Sequence, residues 1–331
     1  MKLMKIGLDI GNGSIKAVVD GQRLYIPAYF KRLTFRPHEL PTAGFVEYQQ
    51  GDRFESIKPR NWYVGKAALE QDPENVLKIG DSTRGKVDFA LEALFGLVSH
   101  LPYRPAYDLE IVASIHDAKT LGGELKEALT GNHIVKCNDY ATATKVNSQV
   151  LAVREEGHPA LLTHRSELNL KSQNIVLDIG NGTLIASLFG EQGRIVDRKP
   201  FPRAGVQRLI ADIARSDEFT KYLQGEIANE QYIRAAVDAG SFEYGSTGFN
   251  FQNIYKKKLR VWVESSLSPA VRFLKPWRVN AHTALVIGGG ALLPGIGEAL
   301  TAQGFTVSSD PVWANASGLY EMSTLISKEA A

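Results

Sequence analysis

One arrangement of apolar and polar positions occurs twice along the chain. Residues 8–13 and residues 177–182 both read LDIGNG. Each copy follows an apolar run, and each is followed by a hydroxyl residue (Ser14 or Thr183) and a second apolar run, 15–19 or 184–189. An apolar run, Asn-Gly and another apolar run predict a β-hairpin with a tight turn. The copies open the two halves of the chain, which predicts two related domains that each begin with a hairpin.

The rest of the pattern alternates. Helical spacing of apolar groups covers 86–100 and 117–130, the latter stopping near Gly131. Residues 109–114 and 133–137 read as strands, 148–156 as a helix ending at Gly157, and 158–173 as a polar linker. Residues 26–82 mix Pro, Gly, aromatic and charged residues without a sustained period, which predicts a small irregular subdomain inserted in the first half. In the second half, helices are predicted over 204–214 and 226–239, and a Gly- and aromatic-rich loop over 240–251. A strand leading into a helix is predicted over 255–275. Residues 284–287 form a buried-type strand that runs into Gly288, Gly289 and Gly290. A helix near 295–303, a strand at 305–307 and a helix near 314–328 complete the chain. Strands alternating with helices indicate an α/β fold.

Composition narrows the functional classes. The 331 residues are 44% hydrophobic and 22% charged, ordinary proportions for a globular protein. With 38 Lys and Arg against 36 Asp and Glu, the net charge is +2, so direct nucleic-acid or anionic-membrane binding is not expected. The single cysteine, Cys137, excludes an internal disulfide framework and is expected to be a small buried apolar residue in a cytoplasmic protein. The first apolar stretch is broken by Asp9, Asn12 and Lys16, and residues 284–293 are too short to span a bilayer. The basic run Lys256, Lys257, Lys258 with Arg260 reads as a solvated face, and the seven histidines show no metal-binding spacing.

Candidate chemistry centres on the hairpins. Asp9 stands beside Gly11, Asn12, Gly13 and Ser14, where glycines let backbone N–H groups approach an anion and the serine adds a donor. Lys16, two residues beyond Ser14, shares its strand face and can meet the same phosphates. The second copy offers Asp178, Gly180, Asn181, Gly182 and Thr183, with Ile185 where a lysine would fall. A single copy is better read as a mere hairpin turn; two copies in corresponding places favour a polyphosphate clamp. Asp9 and Asp178 would then serve a phosphate-bound Mg²⁺, largely through waters. Gly288, Gly289, Gly290 and Ala291 after a strand would let a flat ligand or phosphate lie against the backbone, and a plain tight strand-to-helix turn reads the same way. No GxGxxG or GxxxxGK[ST] occurs, so Rossmann and P-loop readings fail.

A phosphate hairpin, a second phosphate hairpin and a late GGG loop, in this order, resemble the actin-like ATPase superfamily. Size and the ANASG ending (314–318) look most like ParM, the bacterial plasmid-segregation actins. The resemblance implies a duplicated, ribonuclease H-like two-domain fold with ATP, or GTP, and Mg²⁺ in a cleft between the domains. It implies a first domain of 1–157 plus 318–331, with the 26–82 insertion, and a second of 158–317, with a smaller insertion near 205–260. Residues 145–157 resemble the helix that connects the domains, and 314–319 the second connection. On that helix Gln149 falls where the family positions the attacking water, with Asn147 or Ser148 as other registers and Asp178 as acceptor. The ParM group typically has Glu there, so this Gln is a departure. The implied activity is ATP hydrolysis coupled to head-to-tail homopolymer filaments, with a DNA-binding adaptor as partner. A scaffold with little turnover and a small-molecule kinase are the alternatives.

Overall fold

The computed structural model describes residues 3–166 and 168–329. The chain divides into two units, one ending at Thr163 and resuming at Asn315, the other running from His164 to Ala314. Among the described residues, no helix is long and apolar enough to cross a membrane.

The first unit is built on ten strands: β1 (Leu3–Ile10), β2 (Ser14–Val19), β3 (Gln22–Pro27), β4 (Tyr29–Leu33), β5 (Phe45–Gly51), β6 (Asn61–Val64), β7 (Leu77–Lys78), β8 (Ala106–Ile115), β9 (Gly131–Cys137) and β10 (Thr144–Glu155). They form one sheet in the order β3-β2-β1-β8-β10-β9-β5-β6-β4-β7. The second unit has β11 (Asn174–Ile179), β12 (Thr183–Phe189), β13 (Ile195–Pro202), β14 (Thr283–Ile287) and β15 (Thr306–Val307), in the order β13-β12-β11-β14-β15.

These orders contain the same five-stranded plan twice. In the first unit β3, β2 and β1 are antiparallel neighbours, and β8 and β10 continue the sheet in parallel with β1. In the second, β13, β12 and β11 are antiparallel and β14 and β15 continue in parallel. The repeated LDIGNG therefore marks a repeated topology. Each core forms where the meander buries alternate apolar residues against helices; Ile6, Leu8 and Ile10 on β1 and Ile175, Leu177 and Ile179 on β11 are fully enclosed.

Three expectations are corrected. Residues 145–157 do not form a connecting helix; they belong to β10 and the turn after it. Thr144, Val146, Ser148 and Val150 are buried and Lys145, Asn147 and Gln149 exposed, a period of two that fits a half-covered strand. Residues 26–82 are not irregular, because β4, β5, β6 and β7 extend the main sheet through β9. Residues 255–275 hold no strand: helices Gln252–Trp262 and Ser268–Leu274 are joined by a π-helical turn. Tyr255, Trp262, Leu267, Ala270 and Leu274 bury one helical face, and Pro269 stands where the π-helical turn passes into the second helix.

The last helix, Ala314–Glu329, closes against the first unit. At Gly7 an added Cβ would lie 2.2 Å from the Tyr320 backbone nitrogen, and at Gly318 it would lie 2.0 Å from the Pro159 carbonyl oxygen. The Asn315 side-chain oxygen accepts from the Gly157 N–H at 3.0 Å, fixing the turn that follows β10.

Candidate functional site

The two hairpins are built alike. Gly11 N–H donates to the Ser14 carbonyl at 2.9 Å, and Gly180 N–H to the Thr183 carbonyl at 3.0 Å. An added Cβ would sit 2.9 Å from that oxygen at Gly11 and 2.8 Å at Gly180, so each glycine is required by close approach. Neither Asn12 nor Asn181 takes the positive φ that a type I′ turn demands.

In the first unit, Asp9 on β1 faces Lys16 on β2 as a cross-strand pair, with Lys16 Nζ 2.7 Å from Asp9 Oδ2. Asp9 is almost fully buried. Burial pushes its carboxyl up, but the ammonium charges of Lys16 and Lys86 outweigh this and hold it below the usual carboxylate range. Lys86, in the short helix Gly85–Asp88, is buried and ion-paired with Glu156, also buried, just beyond β10. Glu156 N–H donates to the Ile115 carbonyl at 3.1 Å, which holds it at the end of β8, the strand that carries Ser114 opposite Asp9. The neighbouring Glu155 is committed elsewhere, accepting from the Ala118 N–H at 2.9 Å at the start of helix Ala118–Leu129.

In the second unit, Asp178 on β11 is buried beside the glycine run. Gly288 has φ +85°, and an added Cβ there would lie 2.5 Å from Asp178 Oδ1. At Gly290 it would lie 2.2 Å from Ile179 Cγ2, whereas at Gly289 it would meet nothing within 4 Å. Gly288 and Gly290 are thus glycines for packing, and Gly289 faces open space. Helix Val206–Ala214 starts on the hairpin: Gln207 N–H donates to the Asn181 carbonyl at 2.8 Å, and Arg234 Nη1 donates to Asn181 Oδ1 at 3.0 Å. The buried Trp262 indole donates to the Ala204 carbonyl at 3.0 Å and anchors the same turn.

Each unit therefore gathers its own predicted set: Asp9, Gly11 to Ser14 and Lys16 in the first, Asp178, Gly180 to Thr183 and Gly288 to Ala291 in the second. Gln149 is excluded from the first set. It is exposed and stands opposite Glu110 on β8, while Arg154 stands opposite Ser114, the neighbour of Asp9. Four residues of β8 separate the two levels, about 13 Å at ~3.3 Å each, the fifth on β10 being taken up by a bulge after Val150. Asn147 and Ser148 lie further still. Sequence reasoning missed Lys86 and Glu156. The signal for Glu156 was the period-two run itself, which carries β10 up to the level of Asp9.

Among the described residues, no group of three or more His, Cys, Asp or Glu is placed to hold a metal. One buried carboxylate per hairpin fits a cation that brings its own waters and phosphate oxygens, such as Mg²⁺.

Two units with one duplicated five-stranded plan, each carrying a glycine hairpin beside a buried aspartate, define the actin-like fold. No protein-family model and no curated protein matches the sequence. Solved structures do match over nearly the whole chain. Ta0583, an archaeal actin homolog in complex with ADP, superposes with a TM-score of 0.74 at 17% identity, covering 97% of this chain and 99% of that one. A ParM from Clostridium botulinum in a 15-stranded filament gives 0.71 at 16% identity, over 98% and 100%. Bacillus thuringiensis ParM with ATP gives 0.69 at 15% identity, over 100% of both.

Proposed function

We propose that this chain is an actin-like ATPase that binds a Mg-nucleotide through its two glycine hairpins and assembles into nucleotide-dependent head-to-tail filaments. The observation that carries the reading is the twin hairpin, with the same glycine closure and a buried aspartate in each unit. ATP, ADP and a filament in three proteins of the same fold support it. Near-neutral charge favours an adaptor as the link to DNA, in a plasmid-segregation role, over direct contact.

Lys16 and the hairpin N–H groups bind phosphate oxygens, and Ser14 and Thr183 add hydroxyl donors. Asp9 and Asp178 would hold a phosphate-bound Mg²⁺, largely through waters, and the ion would neutralise phosphate charge. The water-orienting role falls to Glu156, two residues beyond Arg154 at the end of the sheet that carries Asp9, whose carboxylate can accept a hydrogen bond from the attacking water. Glutamate at this place also removes the departure that Gln149 represented.

The test is light scattering with parallel phosphate release, using ATP, a non-hydrolysable analogue and ADP, with and without Mg²⁺. Scattering that rises with ATP and falls as phosphate appears supports the reading. Persistent scattering without phosphate release points to a scaffold, and turnover only with an added small substrate points to a kinase. Glu156→Gln should slow phosphate release by roughly a hundredfold, while Gln149→Ala should leave it unchanged. The reverse order refutes the assignment.

A further inference from the structure

We propose that Lys86 is a phosphate-binding residue that exchanges partners, holding Glu156 when no nucleotide is bound and moving to the terminal phosphate when ATP arrives. The inference rests on the nucleotide reading above and adds a residue and a sequence of contacts to it.

Four charged side chains meet at this end of the first unit's sheet, and two ion pairs join them. Lys16 neutralises Asp9 at 2.7 Å and Lys86 neutralises Glu156, with all four groups at most slightly exposed. A polyphosphate brought to the hairpin adds negative charge to a set already balanced. A buried ammonium is the group such an anion recruits, because its present partner is a single carboxylate and its charge already reaches Asp9.

The backbone places Lys86 for this exchange. An added Cβ at Gly80 would lie 3.7 Å from the Asn12 side chain, so the segment before Lys86 packs on the phosphate hairpin itself. An added Cβ at Gly85 would lie 1.9 Å from the Ile79 carbonyl oxygen, so the tight turn that aims Lys86 depends on that glycine. Once Lys86 leaves, the Glu156 carboxylate gains capacity to accept from water. Until then the acceptor is occupied by an ammonium. Hydrolytic competence would thus follow phosphate occupancy.

The test is equilibrium binding of Mg-ATP and Mg-ADP, read by a fluorescent analogue and competition, in wild type, K86M, E156Q and K86M/E156Q. The double variant removes both charges of the pair together, so neither is left without the other. Partner exchange predicts that E156Q tightens ATP several-fold, because Lys86 no longer has a competing partner. K86M/E156Q should bind ATP roughly ten- to hundredfold more weakly than E156Q, the span of one charge-assisted hydrogen bond. ADP affinity should change less than about threefold across the set. Should K86M alone not fold, E156Q against K86M/E156Q carries the comparison. A purely structural ion pair predicts that E156Q leaves ATP affinity unchanged or weakens ATP and ADP together, and either result overturns the exchange. Wild type that binds neither nucleotide overturns the underlying reading instead.

Discussion

The glycine run after β14 offers a paired perturbation whose outcomes differ sharply. Gly288 has φ +85°, and a Cβ there would lie 2.5 Å from Asp178 Oδ1 and 2.6 Å from the Ile179 carbonyl oxygen. A left-handed φ costs an L-residue about 1–2 kcal/mol, and forcing a methyl into backbone costs about 1–3 kcal/mol more. Gly288→Ala should therefore destabilise the second unit by about 2–5 kcal/mol. With a urea slope of about 2 kcal/mol/M, the midpoint falls by about 1–2.5 M. Gly289→Ala adds a methyl that meets nothing within 4 Å, at a φ outside the left-handed range. Its stability should stay within about 0.5 kcal/mol of wild type, while a phosphate or base lying on that backbone would be pushed away and Mg-ADP affinity would fall. The assay is urea unfolding followed by far-ultraviolet circular dichroism, with ADP binding measured on both variants. A Gly288→Ala midpoint within 0.5 M of wild type, or a Gly289→Ala variant equally damaged, would refute the division of these glycines into packing and ligand-facing positions.

Two further outcomes follow from buried groups outside the hairpins. Burial pushes the His133 imidazole down to about 4, with Asp52 opposing and Arg53 adding to the effect. A depressed histidine contributes stability that is complete above its free value near 6.5 and is lost as pH falls through 4, at most about 3 kcal/mol. The stability of wild type should therefore fall between those values, and His133→Gln should flatten that part of the profile. Burial likewise pushes the Cys137 thiol up to about 12. Native protein should resist a thiol-specific reagent at neutral pH and react fully in denaturant, and rapid native labelling would contradict the enclosed position of Cys137 on β9.

What the chain discloses before folding depends on whether a residue's role is set locally or by distant partners. The hairpins were readable because the close approach that demands Gly11 and Gly180 lies within four residues and occurs twice. The duplication then carried the fold class, since a repeated local unit implies a repeated topology. β10 was misread because its central VLAV stretch is apolar enough for a buried helix face, and only the alternation from Thr144 to Val150 separates the two periods. Reading that stretch as a helix put the candidate water-orienting residue at Gln149 and left Glu156 unconsidered. Lys86 was beyond reach for a different reason. In the sequence it is one lysine opening an amphipathic helix, a place where solvent is the ordinary partner. Its burial comes from Glu156, 70 residues away along the chain, and from the turn at Gly85. The same holds for the glycine run: Gly288, Gly289 and Gly290 are identical as letters, and only Asp178 and Ile179 on the adjacent strand make two of them structural. Motifs that place backbone near a ligand are thus written locally. The charged side chains that would govern when chemistry occurs are written in the pairing of strands and turns that the motifs themselves do not contain.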